Sequence, residues 1–455
     1  MTASVPHPAF DWPLCHEAER AVGGVIQEFL GKHPWAAGLA ARMRDEAGND
    51  FFEWVDHVVV TPAQAGALRA AGYAEESAEA PAGTTVLWHP RAMLPRVLVR
   101  AGATPELALR VESVADFLAA HNLDAAIEGA WGARLRRSPV REENGARLTV
   151  VERLGHRGFV VREPTAEFVR AALQTRELWR TRKRDFADDA DGVRHAFARL
   201  DAVLALVDRD AACELFFAEE RAFWEARNRA GQIQKRRQDR LGLGWGNHDH
   251  HTFRSSRERF ADLMAFLAKL GFHKRERYYA GAEAGWGAQI LEQSVAGIVV
   301  FADVDLMPEE TQIDFSSQRL SAAPALRTVG LWCGLHGDSF LQAGMHHLEA
   351  RFDFARLRDQ LAAEGVNTMK PFSDFDFLRQ AFTEGERWRV RPARVQALLS
   401  QKLITAEQAD GFLRDGAIGS HLENLQRKGG FKGFNQKSVS VIIAATDPRK
   451  MQAGH

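Results

Sequence analysis

One pattern restricts the fold of this chain more than its composition does: a short apolar strand, a capped helix, then further short strands, met four times. The first occurrence is V-D-H-V-V-V-T-P-A-Q-A-G-A-L-R-A-A-G-Y, from Val55 to Tyr73. Thr61 and Pro62 end the strand and start the helix, and Gly72 closes it. The second begins at Leu107. The third begins at His248, with a serine cap at Ser255 or Ser256 and a helix closed by Gly271. The fourth begins at Met345 and its helix closes at Gly365. Short β-type runs trail each unit, such as A-Q-I-L-E-Q-S and G-I-V-V-F-A after the third.

A strand, a helix and several strands, repeated in pairs, is the layout of the vicinal-oxygen-chelate fold. The expected class is therefore α+β, with βαβββ repeats forming a curled mixed sheet around a metal and added helical segments. Five regions follow: N-terminal helices over 1–50, a first βαβββ-type half over 51–164, a helical insertion over 165–240, a second half carrying metal ligands over 241–370, and helices with a closing strand over 371–455. The insertion is rich in charge of both signs, read as solvated helical faces. The closing strand is read at S-V-S-V-I-I-A-A, and the Gly-rich L-Q-R-K-G-G-F-K-G-F-N-Q-K as a loop over a site.

A formal net charge of −1 with no long basic run argues against nucleic acid and anionic membrane as partners. No apolar stretch reaches the ~20 residues that span a bilayer, and the N-terminus lacks signal-peptide character, so a cytoplasmic location is expected. Cys15, Cys213 and Cys333 are far apart in sequence and are read as inert thiols. No G-x-S-x-G elbow, activated thiol or H-E-x-x-H signature occurs.

Metal-ligand residue types stand at equivalent places in the repeats. W-G-N-H-D-H-H-T-F-R holds three of the 17 histidines, His248, His250 and His251. Strand alternation puts His248 and His250 on one face and His251 on the other. His57 lies on the first strand, and His346, His347 and Glu349 on the fourth; Glu292 is a competing carboxylate. Two histidines and one carboxylate on one face of iron or manganese leave about three positions open, enough for a chelating substrate and dioxygen.

In order along the chain, V-D-H-V-V-V-T-P-A-Q-A-G-A-L-R, N-H-D-H-H-T-F-R and H-L-E-A-R resemble the 2-oxoadipate dioxygenase/decarboxylase family, also called hydroxyglutarate synthase. The resemblance implies a vicinal-oxygen-chelate-like core with non-haem Fe(II); Mn or another divalent metal is the alternative. Its first histidine matches His57. Its Asn-His-x-Thr-Pro-Arg stretch matches D-H-H-T-F-R with His250 as ligand, and its Glu-Ile-Glu-Gln-Arg stretch resembles H-L-E-A-R. Strict register there points to His347 and matching chemistry to Glu349. The implied ligands are His57, His250 and Glu349, with His347, His248 and Glu292 as alternates.

The family holds its substrate's carboxylate with an arginine four residues after the first histidine, where this chain has Thr61. Arg96, Arg110 and Arg254 are the candidate replacements. The activity implied is oxidative decarboxylation of a 2-oxo acid resembling 2-oxoadipate by O2, giving a 2-hydroxy acid and CO2. Ring-cleaving dioxygenation, isomerisation on the same fold, and a non-catalytic metal- or ligand-binding homologue are the alternatives.

Overall fold

The computed structural model describes residues 12–280, 284–323 and 325–435. Two helices, α1 (His16–Lys32) and α2 (Pro34–Ala47), precede the first unit, broken at His33 by the following proline. β1 (Val55–Val60) then passes into α3 (Pro62–Ala70), where the Gln64 side chain accepts the Thr61 backbone N–H at 3.1 Å. Beyond α3, Gly72 takes φ +99°, a left-handed exit open to glycine without steric cost. β2 (Ala74–Glu76), β3 (Thr84–Trp88) and β4 (Arg96–Arg100) complete that unit.

The second unit is β5 (Glu106–Arg110), α4 (Val114–Ala120), β6 (Leu135–Glu143) and β7 (Ala146–Arg153). One strand is reduced to a single bridge, Glu128 to Arg137. These seven strands form one sheet, ordered β2-β3-β4-β1-β5-β7-β6. Within each unit the first and last strands run parallel, and β1 and β5 join the two units antiparallel.

Four helices follow, α5 (Ala166–Arg180), α6 (Asp189–Leu204), α7 (Arg209–Glu225) and α8 (Arg229–Asp239). Their charges are not all solvated, which corrects the sequence reading. α7 is buried along most of its length, including Glu219, Glu220 and Arg221. Glu220, 1 % exposed, takes Arg182 at 2.8 Å and Arg184 at 2.6 Å. Mixed-sign runs in sequence can become buried ion pairs once two segments meet, and neutralisation makes the burial tolerable.

The third unit is β8 (His248–Arg254), α9 (Phe260–Lys269), β9 (His273–Tyr279), β10 (Trp286–Gln293) and β11 (Ile298–Asp305). After α10 (Thr328–His336) comes the fourth: β12 (His347–Arg351), α11 (Phe354–Ala363), β13 (Ser373–Phe375) and β14 (Leu378–Phe382). β15 (Glu386–Trp388), α12 (Pro392–Ser400) and α13 (Ala406–Asp415) are inserted before its last strand, β16 (Ala417–Arg427). The second sheet runs β13-β14-β16-β12-β8-β11-β10-β9, with β15 added beside β16. Again first and last strands are parallel, and β8 and β12 join the units antiparallel.

Four βαβββ-type units in two pairs are the α+β, vicinal-oxygen-chelate arrangement expected from the sequence. β16 closes the second sheet; S-V-S-V-I-I-A-A, over 438–445, lies outside the described residues. One apolar cluster joins the first sheet to α1–α4, and another joins the second sheet to α5–α9 and α11. No helix among the described residues is long and apolar enough to cross a membrane.

Candidate metal centre

β8 is buried along its whole length, so every side chain of H-D-H-H-T-F-R needs a partner inside the protein. The strand does not alternate regularly. His250 stands opposite Glu349 and His248 opposite Ala350, leaving Asp249 as an extra residue in a β-bulge. His248 therefore turns to the same side as His251, their ring centroids 5.3 Å apart. The expected shared face of His248 and His250 is corrected by this one residue, which reverses the alternation.

His251 is committed to structure. Its Nε2 accepts from Arg221 Nη1 at 3.2 Å, and its Nδ1 donates to Val299 O at 3.3 Å. His250 is held differently. Its Nδ1–H donates to Asp249 Oδ1 at 3.2 Å, and Arg427 of β16 grips Asp249 through Nε at 3.2 Å and Nη2 at 3.0 Å. Burial alone would raise the Asp249 carboxyl, but Arg427 and His250 hold it well below the usual carboxylate range. The relay Arg427–Asp249–His250 leaves Nε2 of His250 with its lone pair outward, as a metal-binding imidazole requires.

Around that Nε2 three more groups converge. Glu349 Oε2 lies beside it without hydrogen-bond geometry, and Glu423 Oε2 is 4.0 Å away. His347 Nε2 is 3.0 Å from Glu423 Oε2 and 2.8 Å from Thr252 Oγ1, while its Nδ1 has no hydrogen-bond partner among the described residues. The Gln380 amide donates to Glu423 at 3.2 Å and to Glu349 at 3.4 Å. Burial lowers both imidazoles, His347 well below its usual value with Arg254 adding to the effect. Burial raises both carboxyls, Glu349 far more so because Glu423 stands beside it.

Ligand atoms of His250, His347 and Glu423 all lie within 4.8 Å of one another, as do those of Asp249, His250 and Glu349. Asp249 is already spent on Arg427. His250, His347 and Glu423 line an open cleft, which Asp249 and Glu349 do not reach. Its walls are largely aromatic: Tyr278, Trp286, Phe301, Phe372, Phe382 and Phe434. Among the described residues no lysine or arginine hydrogen-bonds either glutamate. Two buried imidazoles lowered by desolvation beside two buried carboxyls raised by it are a donor set that suits a divalent cation.

Of the residues singled out in the sequence, His250, His347 and Glu349 meet here. His57 does not. It lies on β1 in the other sheet, its Nδ1 2.7 Å from Asp56 Oδ2 and its ring 5.0 Å from Phe159. His248 is buried on the reverse of β8 and Glu292 pairs with Lys432 at 3.2 Å and Arg275 at 3.4 Å. Arg96 pairs with Glu76 at 2.6 Å on the first sheet, and Arg110 ends β5. Arg254 is the nearest of the three to the cleft, its Nε 3.8 Å from Asp303, a lining residue.

Glu423 escaped the sequence reading, although a signal was present. H-L-E-N at 421–424 repeats H-L-E-A at 347–350, and the two pair in parallel with Glu349 beside Glu423. The Gly-rich segment after β16 places Phe434 and Asn435 on the cleft, as a loop over the site.

No protein-family model and no curated protein matches the chain. Among solved structures it is similar to a triple mutant of 4-hydroxymandelate synthase from Streptomyces coelicolor, at 13% identity over 88% of this chain and 99% of that one, with a TM-score of 0.30. It is also similar to methylmalonyl-CoA epimerase from Mycobacterium tuberculosis, at 11% identity over 40% of this chain and 88% of that one, with a TM-score of 0.23. The fold assignment rests on the strand order of the four units and not on these likenesses.

Proposed function

We infer that this chain is a metal-dependent enzyme of the vicinal-oxygen-chelate type, with the cation on His250, His347 and Glu423. The finer reading is a non-haem Fe(II) dioxygenase that decarboxylates a 2-oxo acid. The observation that carries it is the convergence of two neutral imidazoles and one carboxyl on a single cleft. A divalent ion on such a facial set keeps about three positions open, room for a chelating 2-oxo acid and O2, and supplies Lewis acidity and electrons.

The chain's own residues do the rest. The Arg427–Asp249–His250 relay fixes one imidazole, and Gln380 steadies both glutamates. The aromatic walls exclude water and pack the substrate's body. Among the described residues no lysine or arginine lines the cleft, so a second carboxylate such as that of 2-oxoadipate would meet no cation from them. An apolar or aromatic side chain fits better. Asp303, on the cleft, is pushed up to about 8 by burial and so carries a proton near neutral pH, available to a substrate oxygen.

The test is iron content after anaerobic purification, followed by O2 uptake and CO2 release with phenylpyruvate and with 2-oxoadipate. Equal amounts of O2 consumed and CO2 released, faster with phenylpyruvate, are expected. Full iron in both His250→Ala and His347→Ala would remove the proposed centre. Oxygen uptake without CO2 would point to ring cleavage, and bound metal without turnover to a binding protein.

A further inference from the structure

A second cavity lies on the reverse of β8. It opens to solvent and offers about 160 Å³ between the end of β5, the end of β7, α7 and the entry to β8. Most charges around it are paired with neighbours. Arg153 takes Asp56 at 2.7 Å, Arg176 takes Glu219 at 2.7 Å, Glu152 takes Arg136 at 2.8 Å, and Glu112 takes Lys235 at 3.1 Å.

Three groups remain. Arg221, 5 % exposed, uses Nη1 on His251, and its Nε has no hydrogen-bond partner among the described residues. Among the described residues Arg110 comes no nearer to a carboxylate than 3.9 Å, to Glu214. Glu214 is 3.7 Å from Arg221 and its Oε2 has no hydrogen-bond partner among the described residues. Two guanidinium groups thus face one carboxylate across gaps too wide for hydrogen bonds, an arrangement one positive charge in excess. Partly buried guanidinium donors left unsatisfied are costly, and the planar fork of arginine matches a carboxylate.

We propose that this cavity binds a small organic carboxylate, its charge between Arg110 and Arg221 and its apolar body against Trp131, Trp245 and Leu154. The site is separate from the metal cleft because the Asp249 bulge divides the strand: His250 faces the cleft, and His248 lines this cavity. It does not depend on the reading of the metal chemistry.

Isothermal titration of the full chain with benzoate, acetate and inorganic phosphate at constant ionic strength tests this. Saturable binding of benzoate, weaker binding of acetate and none of phosphate are expected. Arg221→Gln and Arg110→Gln should each weaken benzoate at least about tenfold, and His347→Gln should leave it unchanged. Arg110 is the more exposed of the two, so Arg110→Gln carries the test if Arg221→Gln does not fold. Absence of saturable binding, equal binding of phosphate, or loss of benzoate in His347→Gln would each overturn the proposal.

Discussion

The two sheets are built alike down to individual side chains, yet one gathers a ligand set and the other does not. Each has an Asp-His pair on the first strand of its pair of units, with the Asp as an inserted residue: Asp56-His57 on β1 and Asp249-His250 on β8. Each Asp is gripped by an arginine of the last strand, Arg153 through two contacts of 2.7 Å and Arg427 through contacts of 3.0 and 3.2 Å. Each arginine and histidine shares a phenylalanine. Phe159 is 5.1 Å from Arg153 and 5.0 Å from His57, and Phe434 is 4.9 Å from Arg427 and 5.3 Å from His250.

The difference lies on the next two strands of each sheet. By register, Glu106 stands where the second sheet has His347, Ala108 where it has Glu349, and Thr149 where it has Glu423. The relay that orients a histidine is thus present in both halves, while the candidate ligand groups gather in the second alone among the described residues. The two halves differ in the imidazole and carboxyl that β12 supplies and in the carboxyl that the last strand, β16, supplies.

Exchanging the equivalent residues should break this contrast most visibly. Glu423→Ala is expected to abolish stoichiometric iron, read by metal analysis, whereas Thr149→Ala and His57→Ala keep it. Removing the arginines comes next. Arg427→Ala should weaken metal binding about 10- to 100-fold in a competition titration, because Asp249 no longer fixes His250. Arg153→Ala should leave metal affinity alone and lower the melting temperature, since it strands the buried Asp56 at a cost of about 3–5 kcal/mol.

A smaller gain is expected from rebuilding the first half. Glu106→His with Thr149→Glu should add a weak second metal equivalent, detectable as a metal-dependent rise in melting temperature. No second equivalent would mean that the sheets differ in more than ligand identity. The smallest effect is a pH slope. Asp303 has a folded value of about 8 against an ordinary 3.8, so the metal-free folded state holds an extra proton between them. Stability should therefore fall as pH rises through that window, by no more than about 1.4 kcal/mol per pH unit, and level off above it. Asp303→Asn should lack that slope in denaturant titrations at pH 5, 6, 7 and 8.

Much of this was legible in the chain. The strand–helix–strand pattern with Thr61-Pro62 and Gly72 as punctuation marked the units, because capping and left-handed exits depend on neighbours in sequence. His250 stood out for the same local reason, as did His347 and Glu349 on one short strand. Other features depended on contacts that no local pattern carries. The bulge at Asp249 follows from pairing with β12, so the faces of His248 and His250 could not be read from alternation. Glu423 comes beside Glu349 only after 73 residues of chain, including two inserted helices, return it to the same sheet.

By itself, then, the sequence determined the repeating units and the presence of ligand-type side chains, since both are written in periodicity and residue type. Only the tertiary structure decided which of those side chains meet. Parallel pairing of first and last strands sets Glu423 beside His347, while the same pairing in the other half sets Thr149 beside Ala108. A metal centre needs donors within a few ångströms, and that proximity is a property of strand register across the sheet.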